Sequence, residues 1–145
     1  MDGLREDQAQ IGDILVRYAT GVDRRDWNLF RTCWTADVVA DYGAIGRFSG
    51  IDALTDFMVA SHDAMGPTHH RLSNFVIDVG VGGDPDRADA RSYVHAVLIA
   101  TPGDPGSWID AVGHYDDTFV RTGDGWRISH RIVHMARVMT ADGTH

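Results

Sequence analysis

The segment "RADARSYVHAVLIAT", residues 87–101, is the clearest indication of the fold. Over most of its length, small or apolar residues alternate with charged or aromatic ones. Successive side chains of a β-strand point to opposite faces of the sheet. One face of this strand is small or apolar, and it carries Ala88, Ala90, Ser92, Val94, Ala96, Leu98 and Ala100. The other face begins with charged and aromatic residues and includes His95, which we expect to point outward. A small, apolar face on so long a strand predicts the inner wall of a pocket.

Three more strand-like runs accompany this segment: "HRLSNFVIDV" (70–79), "WIDAVGHYDDTFVR" (108–121) and "WRISHRIVHMARVM" (126–139). Turns rich in glycine, proline and aspartate separate them, which is typical of an antiparallel meander. On the last run, alternation leaves either of two faces open as the interior. One face carries Trp126, Ile128, His130, Ile132 and His134, and the other carries Arg127, Ser129, Arg131, Val133 and Met135.

The first half of the chain has helical spacing of its apolar residues. It predicts a first helix that stops near Gly21, a second helix that Asp26 caps and that includes Trp34, and a third helix over 51–65. The runs "VVADYG" (38–43) and "GRFSG" (46–50) predict a short pair of strands. Helices followed by a long meander predict an α+β fold in one domain, 1–145, with the helices closing the concave side of a curved sheet over a ligand pocket.

Charge and composition exclude several classes of function. The net charge is −8 without a basic stripe, which argues against nucleic acid and anionic membranes as partners. No apolar run is long enough to span a membrane and the N-terminus lacks a secretory signal, so we expect a cytoplasmic protein. Cys33 is the single cysteine, and His130 and His134 lie too far apart along one strand to share an ion. We therefore expect no metal site.

The segment "THHRLSN" (68–74) carries the best candidate for chemistry, because histidine readily moves a proton near neutral pH. On a strand only one of two adjacent histidines faces the interior. His70 shares its face with Leu72, Asn74 and Val76, whereas His69 shares a more solvated face. The interior histidine is therefore predicted to be His70, either as a base or as a hydrogen-bonded core residue.

Five segments, taken in order, resemble the SnoaL-like branch of the nuclear transport factor 2-like superfamily. They are "RYATGVDRRDWNLF" (17–30), "ADYG" (40–43), "GRFSG", "THHRLSN" and "DGWRISHR" (124–131). The branch includes scytalone dehydratase, bile acid 7α-dehydratase and hexachlorocyclohexane dehydrochlorinase. The resemblance implies a cone-shaped α+β barrel and a homo-oligomer, a dimer or trimer, which we expect to assemble through the outer face of the sheet.

The resemblance also implies which residues act. An Asp–His pair forms the catalytic centre in these enzymes, and it matches Asp23 and His70. The dehydrochlorinase has an arginine on its last strand that matches Arg131, which favours the Arg131 face as the interior. Tyrosines of the bile acid dehydratase and of scytalone dehydratase match Tyr18 and Tyr42, respectively. By themselves, Asp23 could be a helix-end carboxylate, the tyrosines could be wall residues, and Arg131 could form a structural ion pair with Asp117 or Asp41. The full active site of no single member is reproduced.

These features and the resemblance together predict a cofactor-independent lyase, a dehydratase that acts on an apolar, ring-bearing small molecule. His70 would remove a proton from carbon, and Asp23 would stabilise the imidazolium. We expect the pocket to be lined by Asn74, Phe57, Met58, Val94, Leu98, Tyr115, Asp117 and Met135. An isomerase or cyclase, a non-catalytic binding module and a partner of a larger oxygenase remain as alternatives.

Overall fold

A computed structural model describes residues 2–142, apart from the side chain of Asp2. Three helices, α1 (Asp2–Asp23), α2 (Trp27–Arg31) and α3 (Ile51–His62), accompany six strands. The strands are β1 (Trp34–Asp41), β2 (Arg47–Ser49), β3 (Thr68–Val79), β4 (Arg87–Ile99), β5 (Trp108–Thr122) and β6 (Gly125–Thr140). Short 3₁₀ turns span Gly43–Ile45 and Val81–Gly83. None of the described helices combines the length and the apolarity needed to cross a membrane.

The six strands form one sheet in the order β2-β1-β6-β5-β4-β3. All neighbours are antiparallel except β1 and β6, which pair in parallel. The antiparallel meander, the β1–β2 pair and the α+β class are confirmed. The parallel contact lets the N-terminal strand pair extend the edge of the meander, and it could not be read from local periodicity.

The predicted faces of β4 are confirmed along most of its length. Ala88, Ala90, Ser92, Val94 and Ala96 are all buried, whereas His95 faces outward and hydrogen-bonds Asp110. Small side chains on this face leave room inside the cone, and the apolar faces of the helices cover it.

Two β-bulges resolve the ambiguity of β6. The pairing partner moves from Ile128 to His130 between two consecutive residues of β5, so Ser129 is an extra residue. Ile128 and Arg131 are both fully buried although they are three positions apart. A second bulge at Ala136 follows Met135. Neither of the two predicted faces is therefore interior throughout, because each bulge reverses the alternation.

A bulge in β3 makes one predicted pocket residue wrong. The register of β3 against β4 shifts between Ser73 and Val76, and Asn74 adopts a left-handed backbone conformation with φ of 54°. Asn74 and Val76 are consequently exposed, and Phe75 packs against the core instead. The shift lies beyond His70, whose inward orientation is unaffected.

The helix boundaries differ from the predictions where tertiary packing prevails. Helix α1 continues through Gly21 to Asp23, and α3 ends at His62 instead of 65. Trp34 begins β1 and is not part of α2, whose N-terminus Asp26 caps as predicted by accepting a hydrogen bond from the Leu29 amide. A Cβ at Gly21 would lie 2.9 Å from the Phe30 backbone nitrogen, so glycine lets α2 approach α1 closely.

Alanine substitution separates this packing role from helix propensity. Gly21→Ala should destabilise the protein by about 1–3 kcal/mol, since the new methyl group meets backbone atoms that cannot move freely. Gly12→Ala in the same helix is the matched control, because its Cβ would contact only the Phe75 ring at 3.6 Å. That control should be neutral or stabilising by up to about 1 kcal/mol. Urea unfolding measures both, and equal effects would contradict the packing explanation.

Candidate active site

The end of α1 meets the start of β3 through one carboxylate. Asp23 Oδ1 lies 2.7 Å from His70 Nδ1, and its Oδ2 accepts a hydrogen bond from the His70 amide at 2.8 Å. The Thr68 hydroxyl donates to Oδ1 at 2.9 Å. Burial raises the pKa of Asp23, but the hydrogen bonds from His70 and Thr68 outweigh it and hold the pKa below its usual value. Asp23 therefore stays ionised and accepts hydrogen bonds from both the ring and the backbone of His70.

Arg25 holds the segments that carry this pair. It adopts a left-handed conformation with φ of 54° directly after α1. Its guanidinium donates to the Thr68 hydroxyl at 2.8 Å, to the Gly66 carbonyl at 2.7 Å and to the His62 carbonyl at 3.0 Å. One cation thus joins the ends of α1 and α3 to the start of β3 and directs the Thr68 hydroxyl hydrogen toward Asp23.

The contact with Asp23 fixes the tautomer of His70. An ionised carboxylate can only accept a hydrogen bond, so Nδ1 of His70 carries the hydrogen. In the neutral imidazole Nε2 then holds a lone pair, and no described residue hydrogen-bonds it. His70 lines the cavity inside the cone. A neutral imidazole held in this tautomer by a carboxylate can accept a proton at Nε2.

The cavity has a volume of about 320 Å³ and is mainly apolar, near the lower end of the range for small-molecule sites. The structure places on its wall six of the residues predicted to line it: Phe57, Met58, Val94, Leu98, Tyr115 and Met135. Sequence analysis did not name four further wall residues, Met65, Ile109, Ala111 and Val138, whereas Ala96 and Val133 lie on strand faces that it had favoured as interior.

Three tyrosines form the second polar group of the cavity, and we call Tyr18, Tyr42 and Tyr115 the tyrosine trio. The Tyr18 hydroxyl lies 3.2 Å from that of Tyr42 and 3.4 Å from that of Tyr115. Burial raises the pKa of all three above the usual value, so all three are protonated. Three hydroxyl hydrogens serve two mutual hydrogen bonds, which leaves one donor for a ligand.

Arg131 lies behind the tyrosine trio and does not line the cavity. Its guanidinium is fully buried and makes two hydrogen bonds to Asp117, at 2.7 and 3.0 Å. It also lies 4.2 Å from the ring centre of Tyr18 and 3.8 Å from that of Tyr115. Burial lowers its pKa, but Asp117 and the nearby tyrosines reverse this, so the side chain stays charged. Asp117 is thus the ion-pair partner of Arg131, and its expected place on the pocket wall is wrong.

His62 is a site residue that sequence analysis did not single out. It is buried at the end of α3, lines the same cavity and has its ring centre 5.9 Å from that of His70. The available signal was helical spacing, because positions 54, 58 and 62 share one face of α3. The cavity therefore holds two histidines from different elements.

Three possible metal ligands meet on the outer face of the sheet, a cluster that spacing along one strand could not predict. Donor atoms of His114, Asp116 and His134 lie within 4.8 Å of one another. Arg91 already holds both oxygens of Asp116, at 2.7 and 3.0 Å. Because this guanidinium neutralises the carboxylate, we assign no ion to the cluster. A wider groove of about 550 Å³ on that face is lined mostly by charged and polar residues.

Comparison with known proteins agrees with this architecture. An uncharacterized protein of Mycobacterium tuberculosis, Rv2910c, is 31% identical over 127 residues, which is 87% of this chain and 83% of that protein. A candidate scytalone dehydratase from Novosphingobium aromaticivorans superposes with a TM-score of 0.85 at 22% identity, covering 99% of this chain and 91% of that one. A hexachlorocyclohexane dehydrochlorinase of type 3 from Novosphingobium barchaimii gives 0.80 at 20% identity, covering 99% and 95%.

These solved structures share the fold of this chain. The family model described as a SnoaL-like domain matches residues 4–132, most of the chain. The chain therefore belongs to the SnoaL-like domain family of the nuclear transport factor 2-like superfamily.

Proposed function

We propose that the protein is a cofactor-independent lyase, a dehydratase that removes water from a ring-bearing ketone with a hydroxyl group two carbons from its carbonyl. The observation that carries the proposal is the 2.7 Å contact between Asp23 and His70 on the wall of an apolar cavity that also contains the tyrosine trio. A base and an oxygen-binding donor are the two groups that such an elimination needs.

His70 begins the reaction. Its Nε2 removes a proton from the carbon beside the carbonyl, and Asp23 stabilises the imidazolium that results. The carbonyl oxygen becomes negatively charged and accepts the free hydrogen of the tyrosine trio. The charge of Arg131 behind the trio favours this oxyanion, since electrostatic interactions are strong where water is excluded.

Loss of the hydroxyl group completes the elimination. The enolate forms a carbon–carbon double bond as the carbon–oxygen bond to the hydroxyl breaks. The imidazolium of His70 returns its proton to the departing hydroxyl, which leaves as water. Nothing is oxidised or reduced, so the reaction balances without an external electron carrier.

Solvent exchange tests the base without requiring the natural substrate. In D₂O, the protein should accelerate deuterium exchange at the carbon between the ring and the carbonyl of 2-tetralone, followed by proton NMR. His70→Gln should slow this exchange by about 100- to 10,000-fold, since it removes the base. His69→Gln is the matched control, because that histidine is adjacent and exposed. Equal rates in all three proteins would contradict the proposal and favour a binding module.

Phenylalanine substitutions test the oxyanion site. Tyr18→Phe, Tyr42→Phe and Tyr115→Phe each remove one hydroxyl of the trio, and one of the three hydroxyls supplies the free donor. At least one variant should lower the exchange rate of 2-tetralone by about 100- to 1,000-fold. Unchanged rates in all three variants, with His70→Gln still inactive, would leave the base in place but remove the trio from the mechanism.

A further inference from the structure

The hydrogen bonds of His62 define its tautomer independently of any ligand. Its Nδ1 lies 3.0 Å from the Met58 carbonyl oxygen and 2.8 Å from the Ser61 hydroxyl oxygen. A carbonyl oxygen only accepts, so a lone pair on Nδ1 would face another lone pair. The Ser61 hydroxyl itself donates to the Met58 carbonyl at 3.2 Å, which leaves its oxygen free to accept from His62. Nδ1 therefore carries the hydrogen.

The other nitrogen of His62 is consequently an acceptor. Nε2 holds a lone pair, and none of the residues in the described range 2–142 hydrogen-bonds it. A neutral His70 cannot serve as its donor, because the contact with Asp23 leaves Nε2 of His70 as an acceptor too. His62 lines the cavity, where the remaining wall is mainly apolar. A polar atom in such surroundings needs a donor, from water or from a ligand.

We propose that Nε2 of His62 accepts a hydrogen bond from a hydroxyl group that the substrate keeps, and so selects hydroxylated substrates. This proposal rests on the function proposed above, and it adds a specificity-determining residue beside the base. Such a substrate carries a carbonyl for the tyrosine trio, a leaving hydroxyl, and a further hydroxyl that donates to His62. A site that binds a hydroxyl discriminates strongly against analogues that lack it, because such an analogue covers the acceptor of the site without pairing it.

The groups around His62 keep it neutral. Burial, with the positive charge of His70 when it is protonated and of Arg25, lowers the pKa of His62 to about 4, although the Met58 carbonyl and Asp23 act in the opposite direction. Below pH 6.5 the unfolded chain protonates this histidine, whereas the folded chain does not until about pH 4. The contribution of His62 to stability should thus fall as the pH drops through this window.

Thermal unfolding checks the neutral state. Between pH 7 and pH 4.5 the Tm of the wild type should fall further than that of His62→Leu, which has no group to protonate. Other acid-sensitive groups are the same in both proteins and cancel in the difference. Parallel curves would show that the folded protein protonates His62 as readily as the unfolded chain does, and would overturn the claim that the fold keeps it neutral in this pH window.

A matched pair of probes tests the selection itself. Calorimetry should show that the wild type binds 2-naphthol about tenfold more tightly than 2-methoxynaphthalene, the size of one net hydrogen bond. His62→Leu should abolish this preference. His62→Gln should retain part of it, since its amide oxygen reaches the position of Nε2, and His69→Gln should leave it unchanged.

The outcomes separate this proposal from the proposed function, because binding needs no turnover. A preference that survives in His62→Leu, or its absence in the wild type, overturns the role of His62 and leaves the exchange assay of His70 unaffected. If His62→Leu does not fold, nitrogen NMR of the wild type replaces it. The Nε2 signal of His62 should then move on addition of 2-naphthol but not of 2-methoxynaphthalene, and an unmoved signal overturns the proposal.

Discussion

The fully buried guanidinium of Arg131 is the constraint on which the interior depends. A charge without access to water is tolerated only when it is paired and hydrogen-bonded. Asp117, at the directly opposite position of β5, accepts two hydrogen bonds from the guanidinium. The rings of Tyr18 and Tyr115 pack against the cation. These contacts favour one register of β5 against β6 and one placement of the tyrosine hydroxyls. The polar end of the cavity is thus a consequence of how the buried charge is compensated.

Alternation predicted the interior well only where the strands are regular. In β4 it identified the inner face, and in β3 it identified His70 correctly. It was wrong for Asn74 and undecided for β6, because bulges insert residues that reverse the faces. A bulge depends on how two paired strands fit each other and on the side chains packed against them. The sequence of one strand alone therefore does not predict it. Gly21 is the corresponding case in a helix, where close packing against Phe30 overrides a local stop signal.

The contact between Asp23 and His70 joins residues 47 positions apart, and no local pattern predicts it. Resemblance to a family supplied the pairing, and the structure supplies its physical basis. Asp23 accepts three hydrogen bonds from the start of β3, and Arg25 fixes the two segments that carry donor and acceptor. For His62, the helical spacing can be read from the sequence. Its position beside His70 cannot, because it depends on how α3 packs.

The direction of the hydrogen bonds organises the cavity more than its shape does. His62 and His70 each donate the Nδ1 hydrogen to a protein oxygen. In their neutral forms both therefore offer only an acceptor to a ligand. The tyrosine trio has one hydrogen more than its internal contacts use, so it presents a donor. Between these groups the wall is apolar and cannot compensate a misplaced polar atom. A ligand therefore pairs all the polar groups of the cavity only if it brings an oxygen acceptor to the trio and acidic or hydroxyl hydrogens to the histidines. A hydroxylated ketone carries both kinds of group. A hydrocarbon carries neither, and a carboxylate group has no hydrogen to donate.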